Sequence, residues 1–160
     1  MVRAFVASAL TFFVALPAQA EWQTVCENNR CELFQRLYLQ DGKTVVSQMV
    51  FSRYEAEKSD QNKESNPAGY LAMIYLPLGI HIPAGVTATI DTTSKFKAEL
   101  LDCDAKVGCR AAFIPTVKTI RDFAAGTTLN VTVMDARSRQ LIHFPYPLNG
   151  LSAQLKIFNR

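Results

Sequence analysis

The chain has 160 residues, 49% hydrophobic and 19% charged, with 10 Phe, 5 Tyr and 1 Trp, a globular composition that excludes disordered, collagenous and multi-span membrane classes. Its 17 basic and 14 acidic side chains are interspersed and leave a formal charge of +3, so the clustered Lys/Arg signature of nucleic-acid or anionic-membrane binders is missing. At this length one core suffices, and no cofactor is needed for folding.

Met1 to Arg3 form a short positive end, Ala4 to Leu16 an apolar run, and Pro17-Ala18-Gln19-Ala20 a small-residue close. That is the pattern of a secretory signal peptide over 1–20, with an Ala-x-Ala cleavage site. The apolar run is shorter than the roughly 20 residues of a membrane-spanning helix. Residues 21–160 then read as a single exported domain with no stable membrane span, and the absence of a cysteine at position 21 argues against a lipid anchor.

Trp22 to Val25 and Cys31 to Gln40 predict two strands, the second alternating Leu33, Gln35, Leu37 and Leu39 against Phe34, Arg36 and Tyr38. Asp41-Gly42 is a hairpin turn into a third strand, Lys43 to Tyr54. Glu55 to Gly69 carries six charges and almost nothing apolar. It reads as a mobile hairpin loop or, since long loops in compact domains are uncommon, as a partner-binding loop with Lys58, Asp60, Lys63 and Glu64 as its candidate contacts.

Tyr70 to Leu76 alternates again, and Pro77-Leu78-Gly79-Ile80 must bend or stop that strand. Pro83-Ala84-Gly85 turns the chain into Val86 to Ile90, and Phe96, Ala98 and Leu100 mark a further half-buried strand. Phe113, Val117, Ile120 and Ala124 recur at helical spacing; Pro115 suits a first helical turn and Gly126 a C-terminus with positive φ. Thr128 to Val133 is a strand, Gln140 to Pro145 its partner, and Leu148 to Phe158 a short terminal helix. Seven or eight short strands with one or two short helices predict a mainly β protein, an antiparallel β-sandwich.

Cys26 and Cys31, and Cys103 and Cys109, are close pairs in an exported chain, where disulfides persist. Four cysteines permit three connectivities. Local pairing fits best, because Asn28-Asn29 and Lys106-Val107-Gly108 are turn-forming; cross-paired bridges and free thiols are the other readings. Bridging such short loops contributes about 2 kcal/mol each, so local disulfides act as clips on hairpins. The spacings are too wide for a zinc knuckle, and neither His81 nor His143 lies near a pair.

No catalytic set emerges. A Gly-x-Ser-x-Gly elbow, a phosphate-cradling glycine loop and a dinucleotide fingerprint are all missing from the sequence. His81 and His143 each sit between apolar residues, as packed strand histidines do. Asp102 and Asp104 flank Cys103 without further oxygen ligands nearby in sequence, and Asn130-Val-Thr132, a glycosylation pattern, lies mid-strand. The chain therefore reads as a non-enzyme with no metal, cofactor or catalytic residue assigned.

Four ordered segments carry a family resemblance: Trp22-Gln23-Thr24-Val25-Cys26 with Cys31; Leu76-Pro77-Leu78-Gly79-Ile80 with Gly85; Cys103 with Gly108-Cys109-Arg110-Ala111; and Pro147-Leu148-Asn149-Gly150-Leu151 with Ala153. Together they resemble the invasion-associated locus B family of exported bacterial proteins, although Leu151 stands where that family usually has an aromatic residue. The resemblance implies a secreted or envelope-located β-sandwich, linked by name to host-cell invasion, with no established enzymatic chemistry. The expectation is a periplasmic, secreted or cell-surface protein that acts through protein-protein contacts, with a homo-oligomer compatible. The competing expectation is a periplasmic module binding a small molecule or cell-wall component, with Tyr38, Tyr54, Tyr70, Tyr75 and Tyr146 lining a cleft.

Overall fold

The protein is described by a computed structural model over residues 21–28, 30–53 and 69–159. Residues 1–20, with the expected signal peptide, Tyr54, and the expected loop contacts Lys58, Asp60, Lys63 and Glu64 lie outside the described residues. The strands are β1 (Gln23–Glu27), β2 (Arg30–Tyr38), β3 (Val45–Arg53), β4 (Tyr70–Leu76), β5 (Val86–Ile90), β6 (Ser94–Asp104), β7 (Gly108–Phe113), β8 (Thr128–Met134) and β9 (Leu141–Pro147), and the helices are α1 (Val117–Ala125) and α2 (Leu151–Phe158). All pairings are antiparallel, in the order β1-β2-β3-β4-β7-β6-β5-β8-β9.

The expected sandwich is thus corrected to one strongly curled, half-barrel sheet. The joining strand is β6: Ser94 to Ala98 pair with β5, whereas Glu99 to Asp104 pair with β7. Its register slips between Leu100 and Asp102, and a bulge of this kind bends a strand and increases its twist. A single ladder therefore runs through both layers that a sandwich would keep separate. The curl brings β9 back over β3, where the buried Tyr146 and Ser47 hydroxyls meet.

Alternation places one face of each strand inside. In β3, Ser47, Met49 and Phe51 are buried while Val46, Gln48 and Val50 are half-buried. The concave face holds one continuous core including Leu33, Phe51, Ile74, Val131 and Tyr146. Helix α2 closes one end of it with buried Leu151, Leu155 and Phe158, and Arg53 at the near end of β3 donates to the Phe158 carbonyl at 2.9 Å. Helix α1 inserts Phe123 among Phe51, Phe96 and Phe113.

Two helical details differ from expectation. Thr116 caps α1 through the Thr119 amide, so Phe113 ends β7 and Pro115 precedes the helix. Gly126 has φ −83° and is required for space instead: a Cβ there would lie 2.6 Å from Ile90 Cγ2 and 3.1 Å from Leu148 Cδ1.

Both local disulfides are formed, Cys26–Cys31 and Cys103–Cys109. Each joins directly opposed residues of a hairpin, β1–β2 and β6–β7. Asn28 supplies the positive φ, 49°, in the first turn, and Gly108 supplies 87° in the second.

Candidate functional site

An open groove of about 1200 Å³ lies at the end of the half-barrel opposite α2. The β2–β3 hairpin forms one wall, and Ile142 to Pro145 with Pro147 of β9 form another. Leu76-Pro77-Leu78 leaving β4, and Val107-Gly108 in the β6–β7 turn, complete it. Local chemistry sets each wall. Asp41 accepts from the Lys43 and Thr44 amides and from the Thr44 hydroxyl, an Asx-type turn that holds Tyr38, Leu39 and Val45 at the hairpin end. The Leu-Pro-Leu-Gly bend is tied to the β8–β9 connection by Ala136 N–H to the Gly79 carbonyl, 2.8 Å, and by the Ile80–Asp135 bridge.

The rim is unusually apolar. Tyr38, Leu39, Val45, Leu78 and Val107 retain 43, 52, 45, 52 and 55% of their exposure, and among the described residues no Asp, Glu, Lys or Arg lines the groove. Beneath it, Ser47 donates to the Tyr75 carbonyl at 2.8 Å, so the Tyr146 hydroxyl must be the donor to Ser47 Oγ. This chain consumes both hydroxyl protons. At the far end the Pro147 carbonyl accepts from Trp22 Nε1 at 2.8 Å and from Gln35 Nε2 at 3.2 Å.

Burial pushes the Tyr146 hydroxyl well above its ordinary value of 10.0. The unfolded chain releases this proton near pH 10 while the folded chain keeps it. The stability it contributes is therefore complete below pH 10 and lost as pH rises beyond it, at up to about 1.4 kcal/mol per unit. In urea melts from pH 9 to 11, Tyr146→Phe is expected to start about 1 kcal/mol below the parent for the lost hydrogen bond, and that gap should close above pH 10. A constant gap would refute it.

The residues singled out in the sequence are dispersed. His143 lines the groove but its Nδ1 bonds the Thr132 hydroxyl at 2.9 Å, whereas the half-buried His81 contacts Arg139. Asp102 pairs with Arg110, whose guanidinium holds the carboxyl below its usual range, and Asp104 accepts from the Lys106 amide. Asp135 is held low by the Ser138 amide and hydroxyl and by the Arg137 amide. Among the described residues no group of three His, Cys, Asp or Glu side chains converges as a metal site. Of the five tyrosines expected to line a cleft, Tyr38 and Tyr75 do so, Tyr146 lies buried beneath, and Tyr70 bonds Asn159 near α2. Leu39, Leu78 and Val107 were not anticipated. Their signal was available, because each is a large apolar side chain beside or inside a turn, where polar residues are the norm.

No helix among the described residues is long and apolar enough to cross a membrane. No curated protein matches the chain by sequence. In structure it is similar to invasion associated protein B from Bartonella henselae: the TM-score is 0.71 at 18% identity, over 89% of this chain and 94% of that one. That likeness supports the half-barrel fold. A family model, invasion associated locus B protein, matches residues 22–159, which span all four of the segments that carry the resemblance. The chain belongs to the invasion associated locus B family.

Proposed function

We propose that this protein works outside the cytoplasm as a non-enzymatic interaction module whose apolar groove seats a protein partner. The carrying observation is the rim: five large apolar side chains, each more than two fifths exposed, converge on one uncharged groove. Exposed apolar surface concentrated in this way is costly in water and is the usual mark of a binding site. The apolar leader and the two disulfides support an oxidising compartment, periplasmic or beyond the cell. The groove's own groups favour binding over catalysis, since both hydroxyls below it are committed to hydrogen bonds and the His143 ring bonds Thr132. The family's name supports a role at the host cell, with the groove as the contacting surface.

Photo-cross-linking side chains placed at Leu39 and Leu78, with Lys95 on β6 as the outlying control, test this in living cells. Discrete adducts are expected from the groove positions and none from Lys95. Leu39→Asp with Leu78→Asp should reduce those adducts about tenfold while changing stability by no more than about 0.5 kcal/mol per exposed site. Adducts that ignore the aspartates, or that form equally at Lys95, would sink the proposal. The groove's volume also favours a second reading, an apolar small molecule, which would raise the melting temperature of the isolated protein in a ligand screen.

A further inference from the structure

We infer that the groove's occupant is an extended peptide segment of the partner that adds as a strand to the free edge of β9, with an uncharged core and an acidic residue at one end. This rests on the reading of the groove as a protein-docking site and specifies how the partner binds.

Among the described residues, the sheet order leaves β9 bonded to β8 alone. Which of its main-chain groups face outward follows from the register. Thr128 gives its amide to Asp91 and accepts at its carbonyl from the Asp91 amide, 2.9 Å, on the β5 side. Its opposite residue Pro147 therefore turns away from β8, and Trp22 and Gln35 reach the Pro147 carbonyl from that outer side. By the two-residue alternation of a strand, Pro145, His143 and Leu141 turn outward with it. The outer edge thus presents carbonyls at Leu141, His143 and Pro145 and amide donors at Leu141 and His143. Among the described residues none of these meets a partner across that edge. Such an alternating row is matched by another extended backbone.

Across the groove, β1 pairs with β2 only as far as Phe34, so among the described residues Arg36 to Tyr38 also lack a neighbour strand on that side. The groove, lined by Leu37 and Tyr38 as well as Ile142 to Pro145, lies between two incomplete edges. An inserted segment of about five residues spans Leu141 to Pro145 and places alternate side chains against the apolar rim.

Charge and closure fix the end of β9 at which its acidic residue lies. The Pro147 end is shut by the Trp22 and Gln35 hydrogen bonds. Beyond Leu141 the chain carries the exposed Arg137 and Arg139, neither in an ion pair among the described residues. Asp135, the nearest acid in sequence, is occupied by its own turn. An occupant that is apolar along β9 and acidic where it passes the arginines complements both. A second copy pairing β9 with β9 fits less well, because Pro145 then removes a donor from both partners instead of one.

The test uses the protein as the cell processes and exports it, with isotope-labelled amides. The probes are acetyl-Glu-Val-Thr-Val-Thr-Val-amide, two versions N-methylated at alternate amides in opposite phase, and a version with Lys for Glu. Saturable binding is expected, with slowed exchange at the Leu141 and His143 amides and none at Lys97. One methylation phase should weaken binding at least about tenfold, the loss of one or two net hydrogen bonds. Lys for Glu should weaken it about threefold, as for an exposed ion pair, and Arg137→Glu with Arg139→Glu should reverse that preference. Equal binding of both methylated peptides, protection elsewhere than β9, β9-mediated dimers in sedimentation, or no binding at millimolar peptide would each overturn the inference. Persistence of the groove cross-links in any of those cases leaves the docking reading standing with a different mode of binding, whereas their loss removes both.

Discussion

Gly108→Ala is expected to destabilise the protein by about 3 kcal/mol or more, the larger part of the marginal stability of an ordinary domain. Two penalties act together. Gly108 has φ +87°, a backbone region that costs an L-residue about 1–2 kcal/mol. A Cβ there would sit 2.3 Å from the Leu76 carbonyl oxygen, and relieving such an overlap in a packed region costs a further 1–3 kcal/mol or so. The carbonyl has little freedom to retreat, since Leu76 pairs with Cys109 in the β4–β7 ladder and is followed by Pro77. Gly42→Ala is the matched control, with φ +65° and nothing within 4 Å of the added carbon, and should cost only about 1 kcal/mol. Urea melts of both variants decide the matter: a Gly108→Ala loss within about 0.5 kcal/mol of the Gly42→Ala loss would show that β4 yields easily. Because Val107 and Gly108 form a groove wall, Gly108→Ala should also weaken groove cross-linking, whereas Gly42→Ala, at the opposite wall, should alter it little.

The strands were legible where one face is wet. β5 and β8 alternate strictly between buried and half-buried residues, as does β3 from Val46 to Ser52, and the hydrophobic pattern carries that period directly. β7 does not stand out, because its alternation runs only from Gly108 to Ala111 before Ala111, Ala112 and Phe113 are buried in succession. Phe113 then matched the helical spacing of Val117 and Ile120 although it ends a strand, and only the Thr116 cap separates the two elements. The choice between a sandwich and one curled sheet was not in the pattern at all. Inward and outward residues alternate identically in both, and the difference lies in β6 bonding to β5 with one half and to β7 with the other. The groove was half legible: Leu-Pro-Leu-Gly and the second cysteine pair stood out as motifs, but only the curl brings Leu78 and Val107 together with Tyr38 and β9.

Trp22→Ala should cost about 3–5 kcal/mol, the usual price of emptying a buried aromatic site. Trp22 is 4% exposed, its ring packs 5.6 Å from that of Phe51, and its Nε1 holds the Pro147 carbonyl across 125 residues of sequence. That bond joins the residue preceding the strand at one edge of the half-barrel to the end of the strand at the other, so two contributions are mixed in the alanine variant. Trp22→Phe separates them: it retains most of the apolar volume and deletes the hydrogen bond, for about 1–2 kcal/mol. If the bond latches the two edges, Trp22→Phe should speed amide exchange in β9 more than in the central strands β3 and β4, because a local opening lowers protection only where the edge detaches. If Trp22 merely fills space, exchange should rise uniformly with the loss of global stability. The first pattern would also predict weaker discrimination among edge-binding peptides, since Trp22 and Gln35 both hold the Pro147 carbonyl at the closed end of the groove. Gln35→Leu, which removes the second donor while leaving the indole in place, should then show the same β9-selective exchange in milder form.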